Sequence, residues 1–259
     1  MKNIRIAQVL ALAFTIGAIY IAPHPTWAQT SDTYSPVQKT LEYDIRYFIP
    51  NTLHAAGKTL SVDKKFLPEV PLPQAVLGFE VGEKYADWND VLKYMEALQK
   101  HSDRVKIEVM GTTYQHRPII QVSISSAENM RRLDEIKKEH LQLTDASISS
   151  NADVTRMPVV VNLAHSMHGN EASAVNSALA TAYFFAASDD ENIKELLDNT
   201  VIVMAPGLNP DGINRFANWV NTTHSYHYVA DLSSREFSET WPSSRTNHYW
   251  MDCNRDWLM

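Results

Sequence analysis

Two short apolar segments constrain the fold more than any other feature of this sequence. The first spans residues 158–163 and is interrupted only by Asn162, and the second spans residues 201–205. Short continuous apolar runs are typical of strands that are buried on both faces of a sheet. Helical patterns cover residues 172–187 and 190–199 between them. Strands that alternate with helices indicate an α/β sheet with parallel neighbours.

The segment upstream of these runs is also regular. It predicts a helix over 88–100, strands over 105–110 and 119–124, and a helix over 127–141, with Asp87 and Ser126 as the N-caps. A tight turn that contains Pro118 connects the two strands. We therefore expect an α/β fold with a mixed, largely parallel twisted sheet flanked by helices.

The first residues have the features of a secretory signal peptide. Lys2 and Arg5 precede a mostly apolar stretch over 6–22, and the small residue Ala28 marks the expected cleavage point. Residues 29–75 are rich in proline and short polar runs, and we interpret them as an N-terminal extension of a main domain over 76–259. The signal predicts a secreted or periplasmic protein that is not membrane-bound after cleavage.

Composition narrows the range of functions. The net charge of −7 argues against a nucleic-acid partner, because such proteins carry a basic patch or stripe. The single cysteine, Cys253, excludes an intrachain disulfide framework and a cysteine-rich zinc site. A metal site in this chain would therefore use histidine and carboxylate ligands.

The motif His168-Gly169-Asn170-Glu171 follows the first apolar strand directly. Ligands bind at the carboxyl ends of strands in open α/β sheets. Imidazole nitrogen and carboxylate oxygen are good zinc ligands, and residues three apart at the start of a helix can face one point. We expect Gly169 to allow a tight backbone turn between them. The same spacing also suits a surface histidine beside a helix N-terminal glutamate, and His165 is a further candidate ligand.

Two further motifs follow the second apolar strand. Asn209-Pro210-Asp211-Gly212 by itself predicts a turn, because each of these residues favours one. Downstream, an Asn254-Arg255 pair could hold a carboxylate, with two parallel N–H donors from the guanidinium.

Taken in order, these motifs resemble the zinc carboxypeptidase family (carboxypeptidase A-like), in particular its secreted bacterial branch. The resemblance covers residues 76–259 and implies one Zn²⁺ ion per complete domain. It also implies His168 and Glu171 as zinc ligands, and Asn254 and Arg255 as the pair that binds the terminal carboxylate of a peptide or protein substrate.

The family also has an arginine that stabilises the oxyanion. Arg245 stands nine positions before Asn254, a spacing that resembles the cytosolic branch, and we assign this catalytic role to it. Arg235 and Arg215 are the alternatives. The resemblance implies that a bound zinc ion would lower the pKa of its water, so that this water could attack the last peptide bond of the substrate.

The resemblance also implies a second zinc-binding histidine and a glutamate general base downstream of the Asn-Arg pair. The sequence ends at Met259, and all ten histidines precede Asn254. We therefore expect a C-terminally truncated catalytic domain that is inactive by itself. Two other functions stay open, an acylamino-acid deacylase of the aspartoacylase type and a non-catalytic module that binds peptide carboxylates.

Overall fold

The computed structural model describes residues 49–55, 58–225 and 229–255 of the chain. This part contains a four-stranded mixed sheet, flanking helices and a separate two-stranded hairpin, which confirms the predicted α/β fold. The predicted signal peptide and residues 29–48 of the predicted extension lie outside the described residues. No helix of the described residues is long and apolar enough to cross a membrane.

The described elements follow the predicted order. The strands are β1 Thr52–Ala55, β2 Lys58–Ser61, β3 Val105–Thr112, β4 Pro118–Ile124, β5 Val159–Ala164 and β6 Thr200–Ala205. The helices are α1 Pro73–Leu77, α2 Trp88–His101, α3 Ala127–Arg131, α4 Leu133–Gln142, α5 Ala174–Ala187, α6 Glu191–Asp198 and α7 Pro210–Thr223. Short 3₁₀ turns span Ser149–Asn151, Val154–Arg156, Arg235–Phe237 and Cys253–Arg255.

The main sheet has the strand order β3-β4-β6-β5. Strand β4 pairs antiparallel with both β3 and β6, whereas β5 and β6 pair in parallel. The parallel pairing that we expected to prevail therefore holds for one of the three strand pairs in the described part. The parallel pair is the one that carries the motifs, because β5 precedes the His168 motif and β6 precedes the Asn209 motif.

Strand β5 differs from the expectation that its apolar residues are buried on both faces. It forms an edge of the sheet in the described part of the chain, and Val159, Val160 and Val161 are all exposed. The apolar pattern predicted the strand correctly. It carries no information on whether neighbouring elements cover the strand, so the burial prediction is wrong for these residues.

The helices show where local signals succeed and where they fail. Asp87 caps α2 as predicted, and its carboxylate accepts a hydrogen bond from the Asp90 N–H. The helix predicted over 127–141 is broken at Arg132, which separates α3 from α4. The Asn209 motif, predicted as a turn, instead begins a helix. The Asn209 side chain accepts from the Gly212 N–H and caps α7, with Pro210 in its first turn.

The core lies between the sheet and helices α2 and α5. Its fully buried residues include Val91 and Leu98 of α2, Leu179 of α5, and Val122 and Met204 of the sheet. Helix α5 packs on α2, and its buried residues include small ones such as Ala178 and Ala182.

The described part of the predicted extension packs against this core. The Leu67 N–H donates to the Ala187 carbonyl at 2.7 Å, and Val70 is buried. These contacts tie the extension to the end of α5.

Candidate metal and carboxylate site

Three loops meet at the carboxyl ends of β5 and β6. The parallel register aligns the two strands so that the His165 N–H donates to the Ala205 carbonyl at 2.9 Å. The Leu208 N–H in turn donates to the His165 carbonyl at 3.0 Å. The third loop covers residues 239–255. The structure therefore brings together the motifs that sequence analysis treated separately.

Gly169 and Gly212 lie backbone to backbone where the first two loops touch. A Cβ atom on Gly169 would collide with the Gly212 carbonyl group and the Ile213 nitrogen. Gly169 does not have a positive φ, so the tight turn that we expected is not the reason for glycine here. The reason is the close approach of two backbone segments of the same chain, at Gly169 and at Gly212. The Gly169 N–H donates to the Ser244 carbonyl at 2.9 Å, which adds the third loop to this contact.

His168 is almost completely buried, with 5% of its surface exposed. Its Nδ1 lies 3.2 Å from the Arg245 carbonyl and 3.6 Å from Asp252 Oδ1. A hydrogen atom on Nδ1 can be donated to the Arg245 carbonyl, which fixes the orientation of the ring. The Ser166 hydroxyl donates to the His168 carbonyl at 2.8 Å. The Nε2 atom forms no hydrogen bond with any described residue.

Glu171 lies in the turn that precedes α5. The helix begins at Ala174 rather than at Ala172 as predicted, so Glu171 is not part of its first turn. Its side chain is exposed, and its carboxylate accepts no hydrogen bond from the described residues. Its backbone is held, because its carbonyl accepts from the Ala174 N–H at 3.0 Å and lies 3.5 Å from the Tyr85 hydroxyl oxygen.

Tyr85 and Glu239 support this loop from outside the motifs. Burial raises the pKa of Tyr85 well above its usual value, so its hydroxyl stays protonated and donates to the Gly169 carbonyl at 3.1 Å. One carboxylate oxygen of Glu239 accepts from Asn170 Nδ2 at 3.0 Å, and the other accepts from the Ser244 N–H at 2.5 Å. Sequence analysis missed both residues, because each lies far along the chain from the loop that it contacts.

Asp252 connects the predicted ligand to the predicted catalytic arginine. Arg245 Nε donates to Asp252 Oδ2 at 2.9 Å, while Oδ1 faces His168. Burial acts to raise the pKa of Asp252. The hydrogen bond from the Asn254 N–H and the Arg245 guanidinium outweigh this effect and hold the pKa below its usual value. Sequence analysis gave Asp252 no role, although its position two residues before Asn254 was a signal that could have pointed to it.

The Asn254-Arg255 pair forms the 3₁₀ turn that follows Asp252. The Asn254 N–H donates to Asp252 Oδ1 at 2.9 Å, and the Arg255 N–H donates to the Asp252 carbonyl at 2.8 Å. The Arg255 guanidinium donates to the Asn254 carbonyl at 3.0 Å and is otherwise exposed. The pair therefore lies next to the residue that contacts His168.

The two alternative arginines and the further candidate ligand, His165, lie in different surroundings. Arg215 donates to the carbonyls of Ser243 and Asn247 at 3.0 and 3.2 Å, so it holds the third loop in place. Arg235 is exposed in a separate 3₁₀ turn. Burial lowers the pKa of His165, although carbonyl groups near it oppose this effect, and its buried Nδ1 has no hydrogen-bond partner among the described residues.

The loops are also tied to the turn between β3 and β4. Asp211 is 2% exposed and accepts hydrogen bonds from Arg117 Nη1 at 2.7 Å and from the Thr113 hydroxyl at 2.8 Å. The Arg117 guanidinium also bonds to the side-chain oxygen of Gln115. A buried carboxylate needs such partners, and here they fix the start of α7 against the sheet.

The described residues supply two side chains, His168 and Glu171, of the kind that bind zinc. His168 has one nitrogen held and one without a described partner, and Glu171 has an unengaged carboxylate, which suits two of the usual ligands. Within the ranges that the structure describes, no group of three histidine, cysteine, aspartate or glutamate residues could hold a metal ion. The described residues therefore supply a partial donor set.

Comparison with known proteins adds family information. The zinc carboxypeptidase family model matches residues 91–258. No curated protein matches the chain.

Three solved structures illustrate the similarity. Metallo-carboxypeptidase from Burkholderia cenocepacia is 17% identical, with 83% of this chain and 42% of that one covered and a TM-score of 0.41. Carboxypeptidase A from Helicoverpa armigera is 15% identical, with 67% and 36% covered and a TM-score of 0.38. Thrombin activatable fibrinolysis inhibitor is 12% identical, with 58% and 32% covered and a TM-score of 0.37.

The chain thus spans 32% to 42% of the length of these three structures. The family model covers more than half of the chain, from Val91 to residue 258. The protein therefore belongs to the zinc carboxypeptidase family.

Proposed function

We propose that this chain is part of a zinc-dependent metallocarboxypeptidase that hydrolyses the C-terminal peptide bond of peptides or proteins. One observation carries the proposal. The same loop that holds His168 Nδ1, through the Arg245 carbonyl and Asp252, also carries the Asn254-Arg255 pair. A candidate metal ligand and a candidate carboxylate-binding pair are therefore fixed to one another through Asp252.

The residues have distinct roles in this proposal. His168 and Glu171 hold the metal, and Asp252 orients the imidazole ring. Arg255 and Asn254 bind the free carboxylate, because a guanidinium offers two parallel donors to it. Arg245 stabilises the negative charge that develops on the carbonyl oxygen. When bound, zinc supplies Lewis-acid activation of water and of the scissile carbonyl.

We further propose that the third metal ligand and the general base come from residues beyond this chain. The described residues contain two donors of the right chemistry and no group of three. A zinc ion with two protein ligands is bound weakly, since sites of this type use three. The chain by itself is then inactive. We propose a location in the periplasm or outside the cell, on the basis of the signal peptide that the sequence predicts.

The test first sequences the source DNA past codon 259 and, where the reading frame continues, compares residues 29–259 with this longer form. We expect the longer form to release the last residue of N-blocked peptides, to lose this activity with a chelator and to regain it with zinc. His168→Ala and Glu171→Gln abolish activity, while the exposed control Leu141→Ala keeps it. Activity from residues 29–259 alone contradicts the incomplete site. Inactivity of a longer form that binds zinc contradicts the proposed reaction.

A non-catalytic carboxylate-binding module is the second candidate. It is favoured by the exposed Arg255 guanidinium together with the partial donor set. This function predicts that the longer form binds peptides with a free C-terminal carboxylate in the absence of zinc and never cleaves them. Conversion of the peptide carboxylate to an amide abolishes this binding.

A further inference from the structure

The side chain of Glu239 connects the loop after β5 to the third loop. One of its carboxylate oxygens accepts from Asn170 Nδ2 at 3.0 Å, and the other accepts from the Ser244 N–H at 2.5 Å. A carboxylate accepts hydrogen bonds through both of its oxygens, so one glutamate can bridge two donors. The two donors here lie far apart in the sequence, and Glu239 fixes them relative to each other.

These two hydrogen bonds belong to a closed ring. The Gly169 N–H donates to the Ser244 carbonyl at 2.9 Å, so both backbone groups of Ser244 are engaged. The ring therefore runs from Asn170 through Glu239 and Ser244 to Gly169, which precedes Asn170. Ser244 is completely buried, and hydrogen bonds that are shielded from water are stronger than exposed ones.

The ring encloses the turn between the two candidate metal ligands. The two residues that separate His168 from Glu171 both belong to it. The carbonyl that lies 3.2 Å from His168 Nδ1 belongs to Arg245, the residue that follows Ser244. A movement of Ser244 relative to the turn would therefore displace the imidazole ring from the carboxylate of Glu171.

We propose that Glu239 is a positioning residue for the metal site, which holds His168 and Glu171 in a fixed relation before zinc binds. It acts through Asn170 and Ser244. Ligands that are already in place lose less freedom when an ion binds. Groups that orient metal ligands typically contribute about 10–100-fold to affinity, and an action through two intermediate residues belongs at the lower end. This inference rests on the proposed carboxypeptidase function and adds a residue to its metal site.

The first test removes both hydrogen bonds with Glu239→Ala. Zinc titration of the full chain by isothermal titration calorimetry should show an affinity about tenfold lower than that of the unmodified protein. Glu239→Gln is the conservative variant. Its amide oxygen can accept from the Ser244 N–H, and its amide nitrogen can donate to the side-chain oxygen of Asn170 after that amide has flipped. This variant should keep most of the affinity.

A second test exchanges the two partners. Asn170→Asp places a second carboxylate against Glu239, and we expect a loss similar to that of Glu239→Ala. Adding Glu239→Gln to Asn170→Asp supplies an amide N–H for the new carboxylate, while the amide oxygen still accepts from the Ser244 N–H. The double variant should therefore regain affinity. A general loss of stability would add up in the double variant and would not be reversed.

Glu236→Ala is the matched control. Glu236 is also half-buried and accepts one backbone hydrogen bond, from the Ser225 N–H at 2.8 Å, at a place away from the ligand turn. Its zinc affinity should equal that of the unmodified protein. Melting temperatures without zinc are measured for every variant, and the loss of affinity in Glu239→Ala should exceed that of the control at a similar melting temperature.

The outcomes separate this inference from the proposed function. Equal zinc affinity of Glu239→Ala and Glu236→Ala overturns the inference, and so does a double variant that binds no better than Asn170→Asp. Absence of zinc binding at millimolar concentration also overturns it, because a preformed ligand pair binds zinc weakly. The proposed function then stands, since it takes a further ligand from beyond this chain. Zinc binding that His168→Ala leaves unchanged contradicts both.

Discussion

Replacing Gly169 by alanine tests the contact on which the candidate site is built. The added Cβ would strike the carbonyl group of Gly212 and the nitrogen of Ile213. These atoms are all backbone, so no side chain can rotate away to make room. The two loops must therefore move apart, and this movement displaces His168 and Glu171 from the start of α7.

The cost can be estimated from two opposing effects. Overpacking of a well-packed region costs typically about 1–3 kcal/mol, and contacts with backbone place Gly169→Ala near the upper end, at about 3 kcal/mol. Alanine has less conformational freedom than glycine in the unfolded chain, and this effect stabilises the variant by at most about 1 kcal/mol. We expect a net loss of about 2 kcal/mol in the free energy of unfolding. In a domain of this size the melting temperature falls by roughly 4–8 °C.

Denaturant unfolding, followed by tryptophan fluorescence, measures this loss. Gly111→Ala is the matched control, because a Cβ at Gly111 has nothing within 4 Å and its φ is not positive. The control should be neutral or slightly stabilising. Equal stability of Gly169→Ala, Gly111→Ala and the unmodified protein would refute the close approach of the two loops.

Three further expectations concern ionisable side chains of the three loops. Asp211→Asn removes the negative charge that pairs with Arg117. We expect it to lower the free energy of unfolding, measured with denaturant, by about 2 kcal/mol. An unchanged free energy of unfolding would mean that the pair is not formed. Because burial lowers the pKa of His165 below 6.5, the unfolded state takes up its proton first, so stability falls as pH falls through 6.5 toward the lower folded value. His165→Gln should flatten this dependence in urea melts at different pH. Asp252→Asn leaves His168 less firmly oriented, and zinc titration should show an affinity lower by about 10–100-fold than that of the unmodified protein, with little change in melting temperature.

Local patterns predicted most of the secondary structure. The apolar runs gave β5 and β6, and Asp87 and Ser126 capped the helices that were expected to follow them. The motifs at the ends of these strands also fell on the loops where a site was expected. These features depend on residues that are close in sequence, so a pattern can detect them.

Features that depend on distant residues were not predictable in the same way. The exposure of β5 depends on which elements lie beside it, and the apolar pattern is the same for covered and uncovered strands. Asp252 and His168 are 84 positions apart in the sequence, and only the fold brings them to 3.6 Å. We assigned Gly169 to a tight turn because the sequence around a glycine indicates only its local backbone conformation. The contact with the Gly212 backbone, which explains the glycine, depends on a segment that is distant in the sequence.

The register of β5 and β6 explains why two motifs form one site. Val159 pairs with Thr200 and Ala164 with Ala205, so both strands end at the same level of the sheet. The residues that follow each strand then meet, and Gly169 faces Gly212. A shift of one residue along β5 would turn its alternate side chains to the other face and would separate these glycines. The two motifs are therefore constrained jointly by the strand register, and the third loop joins them through the Ser244 carbonyl and the contacts of Asp252 with His168.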